Sequence, residues 1–204
     1  MSKQDLINFW KDSGLITDER LLDAFKKVRR EYFVLNKNES YDDRALPILC
    51  RQTISQPSTI MIMLQALELK KDDKVLEVGT GSGFNLALMC KIVKGIVYSL
   101  EIHKELIEFA EKNLKKARIR NYKIFHRNGY FGLREYAPFD KIIITAAPKE
   151  IPIELINQLK ENGIMIAPVG EYSQKMLKIT KRDDKIIKQD LGDFIFVPMV
   201  KDNK

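Results

Sequence analysis

The segment Glu77-Val78-Gly79-Thr80-Gly81-Ser82-Gly83 is where residue types and spacing first suggest chemistry. It follows the short apolar stretch VLEV and precedes a helical stretch from about Phe84. That setting puts a glycine-rich turn at the carboxyl end of a strand, where open α/β sheets bind ligands. A side chain at Gly79 or Gly81 would keep the backbone from approaching a ligand. Glu101 ends the next apolar stretch, 22 positions beyond Gly79, and an acidic side chain there can accept hydrogen bonds from both hydroxyls of a ribose. The glycines are spaced G-x-G-x-G, unlike the G-x-G-x-x-G of a pyrophosphate turn, and no lysine follows as in a P-loop. Acidic Glu77 suits a ligand that carries an ammonium and a sulfonium and suits phosphate poorly. These features favour S-adenosylmethionine as cofactor, with Glu77, Gly79, Thr80, Gly81, Gly83 and Glu101 as its candidate partners. A structural turn and a dinucleotide site stay open as alternatives.

The elements that must hold this turn can be traced along the chain. Leu6, Ile7 and Trp10 predict one helix; Leu21, Leu22, Phe25 and Val28 predict a second, with Thr17 as its N-cap. Residues 36–55 lose periodicity and collect turn formers, which predicts a long, functional loop. Pro57 fits the first turn of a helix carrying Met61, Leu64 and Leu67, which sets Ser55 at a helix entrance. From Val75 onward, VLEV, IVYSLE, KIFH, DKIIIT and IMIAPV alternate with helical stretches from Phe84, over Lys104 to Lys116 and over Ile153 to Leu159, the last closed by Gly163. Such alternation predicts an α/β fold with a doubly wound, mostly parallel sheet, which, joined to the cofactor reading of the glycine turn, gives the expectation of a Rossmann-like, class I S-adenosylmethionine-dependent methyltransferase type. MLKIT, a turn at Arg182 to Asp184 and DFIFVPMV predict a C-terminal antiparallel hairpin. The sheet starts only about seventy residues in, after N-terminal helices, whereas dinucleotide folds usually start at once.

With 204 residues, one domain over 1–204 is expected: a helical preface and substrate loop over 1–55, then a cofactor-binding α/β core over 56–204. Cys50 and Cys90 form no C-x-x-C pair, so neither a disulfide framework nor a cysteine zinc site is expected, and no metal. No apolar run reaches membrane-span length and MSKQDLINFW has no signal-peptide core, which points to a cytoplasmic protein without membrane contact. The formal charge of +7 would suit an anionic partner. Yet Lys112, Lys115, Lys116, Arg118 and Arg120 have the spread of a solvated helix face. His103 and His126 are assigned no chemistry, and a monomer is expected.

Several further motifs resemble, in order, those of the protein-L-isoaspartate O-methyltransferases. They are Ala45-Leu46-Pro47-Ile48, Gln52-Thr53-Ile54-Ser55-Gln56-Pro57, the glycine turn itself, Ala137-Pro138-Phe139-Asp140, Thr145-Ala146-Ala147-Pro148 and Pro168-Val169-Gly170. The likeness runs from about residue 5 to 200, and the Gln-Thr-Ile-Ser-x-Pro element discriminates, because many methyltransferases share the glycine turn. It implies methyl transfer to the α-carboxylate of L-isoaspartyl residues in damaged proteins and peptides, whose ester then cyclises to a succinimide. Ser55 would be the active-site hydroxyl, with Thr53 and Ile54 lining the same loop. A carboxylate is already ionised at neutral pH, so it needs positioning and no general base. Without the likeness, Ser55 would be taken for the cap of the helix at Pro57.

The departures from the family pattern are specific. Asn128, before Gly129, stands where an aspartate is common; its amide oxygen can still accept from an adenine amino group, more weakly, and Asn-Gly is also a good turn. Arg51 stands where small residues are usual and could clamp a carboxylate. Phe84-Asn85 replaces Tyr-Gln, and Arg30 replaces a proline, a change expected to be neutral. A methyltransferase acting on RNA or DNA is the rival suggested by charge, although no aromatic-rich basic stripe, no N-P-P-[FY]-like element and no RNA-binding module is present. A biosynthetic peptide carboxylate as acceptor, and a cofactor-binding protein without catalysis, are the others.

Overall fold

A computed structural model of the chain describes residues 1–183 and 185–201. Helices α1 (Lys3–Asp12) and α2 (Glu19–Lys27) bury the expected apolar faces. The cap of α2 is Asp18, one residue past the expected Thr17; its carboxylate accepts the Arg20 N–H, while the Thr17 N–H donates to Gln65 Oε1. Part of the expected loop is ordered as a small antiparallel pair, β1 (Leu46–Pro47) and β2 (Thr53–Ile54), which delivers Ser55 to α3 (Pro57–Leu67).

The alternation then follows the expected order: β3 (Val75–Val78), α4 (Phe84–Ile92), β4 (Val97–Glu101), α5 (Lys104–Lys116), β5 (Tyr122–His126), β6 (Phe139–Ile144), α6 (Ile153–Gln158) and β7 (Leu159–Val169). The strands β8 (Gln174–Arg182) and β9 (Lys185–Phe194) complete a seven-stranded sheet ordered β5-β4-β3-β6-β7-β8-β9. All pairings from β5 to β7 are parallel, and β7-β8-β9 are antiparallel. Strand residues alternate between two cores. Val75, Ile143, Ile164 and Ile166 pack on one face with the N-terminal helices, α3, α4 and α5; Leu76, Val78, Ile142, Ile144 and Met165 pack on the other with Leu155 of α6. Burial on both faces is why the central strands read as continuous apolar runs. Leu106, Ala110 and Leu114 recur every four residues and bury one stripe of α5.

Two expectations near the C-terminus are corrected. Gly163 caps no helix: α6 ends at Gln158, and residues 160–163 bulge between the pairs Phe139–Leu159 and Lys141–Ile164, with Asn162 at φ 61°. A Cβ on Gly163 would come within 2.7 Å of the Lys160 carbonyl oxygen, so close approach is what requires glycine there. The second strand of the hairpin is Lys185–Phe194, not DFIFVPMV. Asp184, the last residue of the expected turn, lies outside the described residues. Beyond Phe194 the tail leaves the sheet edge. Gln174 grips the Phe196 N–H and carbonyl, and Ala147 pairs with Val197 and Met199, at 2.8 Å each. The tail thereby crosses the carboxyl ends of the strands.

Candidate active site

The chain runs outward from β3 through β4 to β5, then returns to β6 on the other side of β3. The carboxyl ends of β3 and β6 therefore diverge into a crevice, the usual binding position in such sheets. Gly79 and Thr80 both donate backbone N–H groups to the Leu100 carbonyl, which folds the turn back over β4. Gly79 and Gly81 have φ of 96° and 53°. A Cβ on Gly79 would overlap Thr145 Oγ1, whereas one on Gly81 would meet only Ile48 at 3.8 Å and would fill the crevice itself.

A cleft opens there, bounded by Gly79, Gly81, Glu101, Asn128 and Gly129 together with Gln52 and Thr53. The Glu101 carboxylate accepts the Gly81 N–H at 3.0 Å and the Ile102 and His103 N–H groups at 2.8 and 3.0 Å. It is thereby fixed at the strand end with lone pairs to spare. Asn128 Oδ1 accepts the Tyr130 N–H at 2.9 Å, and Gly129 lies so close to Val78 that a Cβ would overlap it. Turn formation and cleft position thus coexist at Asn128.

Glu77 lies elsewhere. It is wholly buried beneath the turn, accepting from Ser99 Oγ at 2.6 Å and Asn85 Nδ2 at 2.8 Å. Burial pushes its carboxyl up to about 8 against those two bonds, so at neutral pH it carries little charge to offer a cationic ligand. Thr80, whose hydroxyl bonds Ser99 Oγ at 2.6 Å, and Gly83, where a Cβ would meet Ala110 and Leu114 at 3.2 Å, also lie outside that cleft. They shape the turn from below.

Two further hollows adjoin the cleft. One contains Ser55, Ile54, the turn residues Gly79 to Ser82, and Asn85; the other contains Ser55, Gln56, Thr59 and residues 193–197 of the tail. Thr53 and Thr145 line all three. Ser55 does not cap α3: the cap position is Gln56, and the Ser58 N–H is taken by Asp43 Oδ1 at 2.9 Å. Asp43 also accepts from Ser58 Oγ and Gln56 Nε2, which leaves the Ser55 hydroxyl free of structural duty. Arg51 lines none of the three hollows. Cys50 and Arg51 both adopt φ of 55°, and Gln52 faces the cleft in Arg51's place. Arg30, expected to be neutral, is completely buried and donates to the Ser55 carbonyl.

Sequence reasoning missed His103, Thr145, Ala146 and the tail residues Val197 to Val200, all of which border the cleft. Thr145 and Ala146 sat in a quoted motif without a role. The tail had no local signal, because only its return across the sheet brings it there.

Among known proteins, a family model described as Protein-L-isoaspartate(D-aspartate) O-methyltransferase (PCMT) matches residues 1–204. The protein-L-isoaspartate O-methyltransferase of Flavobacterium psychrophilum is 43% identical over 203 residues, covering 98% of this chain and 94% of that one. Its counterpart from Pyrococcus horikoshii is 42% identical over 212 residues, covering 98% and 96%. A crystal structure of a Plasmodium falciparum protein-L-isoaspartate O-methyltransferase in complex with S-adenosyl-L-homocysteine superposes with a TM-score of 0.87 at 31% identity, covering 99% of this chain and 100% of that one.

Proposed function

The chain belongs to the protein-L-isoaspartate(D-aspartate) O-methyltransferase family, and on that premise we propose that Ser55 orients an isoaspartyl carboxylate toward a methyl donor held in the cleft beneath the tail. The activity is S-adenosylmethionine-dependent methyl transfer to the free carboxylate of L-isoaspartyl residues in damaged proteins and peptides, which initiates their repair.

The residues fit the donor. Glu101 has acceptor capacity for ribose hydroxyls at the strand end, and Asn128 offers an amide at the far side of the cleft. Asn85 Oδ1 is buried without a partner beside the glycine turn, an orphaned acceptor that an ammonium group would satisfy. Glu77, Thr80 and Gly83 act through the shape of the turn. When bound, S-adenosylmethionine supplies a methyl group activated by a positive sulfur.

The chain's own part is positional. An isoaspartyl carboxylate with an ordinary pKa near 4 is ionised at pH 7, so no residue has to remove a proton. The Ser55 hydroxyl donates a hydrogen bond to one carboxylate oxygen and leaves the other aimed at the junction between Thr53 and Thr145. Ile54 and the tail keep water from that junction. Holding acceptor and methyl in line can remove several kcal/mol of barrier by itself. The observation that carries this assignment is that the two threonines line all three hollows, so the hydroxyl loop and the glycine turn meet at one point. Arg51, outside the hollows, is left for flanking parts of the substrate.

Labelled S-adenosylmethionine should label an isoaspartyl peptide and leave its aspartyl twin unlabelled. Ser55→Ala should lower kcat by about tenfold or more, the loss of one positioning hydrogen bond, while calorimetric binding of S-adenosylhomocysteine stays unchanged. Parental kcat in that variant would remove Ser55 from the mechanism. A monomer and a cytoplasmic location are proposed as well, the free thiols Cys50 and Cys90 suiting the latter. Sedimentation and cell fractionation check these two points.

A further inference from the structure

Arg30 breaks the rule that buried charges are paired. Its side chain is completely buried, and Nε and Nη1 have no hydrogen-bond partner. Nη2 alone is bonded, donating to the Ser55 carbonyl oxygen at 2.8 Å. The Phe84 ring lies 4.8 Å from the guanidinium carbon, offering its negative face to the cation. Burial drives the guanidinium down to about 9, with Tyr41 and Asp43 pulling the other way. A mere filler of this space would be better apolar, since replacing a buried ion by a hydrophobic residue of similar volume is often neutral or stabilising.

What the arginine touches suggests why it is there. Ser55 and Gln56 are the two residues between β2 and α3; Ser55 lies outside any strand pair or helix, and Arg30 gives its carbonyl a fixed partner. Phe84 is the first residue of α4, directly after Gly83. Ser55 and Phe84 border the same hollow as the glycine turn. One side chain therefore bridges the acceptor loop and the start of the helix that follows the donor turn. Phe84 is itself anchored edge-on against Phe25 and Phe33, with centroids 6.1 and 5.4 Å away. The bridge rests on the helical preface and not on a mobile surface.

We propose that Arg30 is a positioning residue for methyl transfer: by holding the Ser55 carbonyl against Phe84 it sets the direction of the Ser55 hydroxyl relative to the glycine turn. This rests on the assignment of Ser55 given above. Breaking the bond would leave the donor site intact and spoil the alignment of the acceptor.

R30M keeps an unbranched stem in the space and removes both the donor and the charge. Its kcat on an isoaspartyl peptide should fall by about tenfold, its affinity for S-adenosylhomocysteine should stay within about twofold, and its Tm should be equal to or above that of the parent. R30K, which restores a cation and one donor, should recover part of the lost kcat. A purely structural arginine would instead lower Tm and activity together, and that parallel loss across R30M and R30K would overturn the proposal. Parental kcat in R30M overturns it as well. Ser55→Ala, assayed alongside, separates the two claims: if that variant is impaired while R30M is not, only the positioning role fails; if Ser55→Ala is fully active, the assignment of Ser55 fails first. Should R30M not fold, R30L decides by the same measurements: parental kcat there counts against the role, and reduced kcat with unchanged cofactor affinity supports it.

Discussion

Glu101 and Gly79 carry the most testable consequences at the scale of single residues. The Glu101 carboxylate collects three backbone N–H groups, including that of Gly81, and is proposed to accept from the ribose as well. Hydrogen bonds to charged groups contribute about 1.5 to 3 kcal/mol each. Glu101→Ala should therefore weaken S-adenosylmethionine binding by about tenfold or more in calorimetry; an unchanged Kd would take the ribose role away from it. Gly79→Ala meets two obstacles at once, the φ of 96° and the overlap with Thr145 Oγ1. It should cost about 1 to 3 kcal/mol of stability. Adding Thr145→Ala should return part of the loss, because it relieves the overlap and leaves the dihedral strain; thermal melts of the pair decide this. Glu101 and the glycines were legible in the sequence, since both depend on a strand ending where apolar residues stop. The place of Glu77 was not, because its charge looks available until burial is known.

At the scale of elements, the entrance to α3 is held from outside the helix. Asp43, thirteen residues before Gln56, accepts from Ser58 N–H, Ser58 Oγ and Gln56 Nε2, and Trp10 Nε1 donates to Ser58 Oγ at 2.6 Å. The loop over 36–55, the first helix and α3 are thereby locked around Ser55. Asp43→Ala removes a cap worth about 1 kcal/mol or more, so Tm should drop by about 2 to 4 °C. The same variant should also lose turnover, because the strand-to-helix corner that carries Ser55 loosens; full activity in a destabilised variant would uncouple the two. Local sequence could offer Ser55 as a cap but not Asp43, which reaches α3 only through the β1–β2 pairing. Gly163 teaches the same point in reverse: a glycine after a helical run has the composition of a cap, and the strand register assigns it to a bulge.

Over the whole molecule, the buried carboxyl of Glu77 links folding to pH. The folded protein keeps its proton up to about pH 8, while the unfolded chain releases it near 4.5. Its stabilising contribution is therefore complete below about 4.5 and lost as pH rises through 8. Tm followed by calorimetry from pH 5 to 9 should decline in the parent and decline less in Glu77→Gln; parallel curves would dismiss the linkage. The tail supplies a second whole-chain test. Ending the chain at Phe196 preserves the grip of Gln174 and removes Val197 to Val200 from the cleft wall, so the fold should persist while cofactor affinity falls by about tenfold.

The alternation of strands and helices, the glycine turn with its acidic partner 22 positions on, and the Gln-Thr-Ile-Ser loop are all legible in the amino-acid order, because each is set by apolar period, by backbone demands on glycine or by neighbours a few residues apart. Long-range packing set the rest: which carboxylate lines the cleft and which is buried beneath the turn, which residue caps α3, how Arg30 reaches Ser55 from 25 positions away, and that the tail borders the site. Those outcomes depend on burial and on contacts between distant segments, and neither is encoded in any local window of the chain.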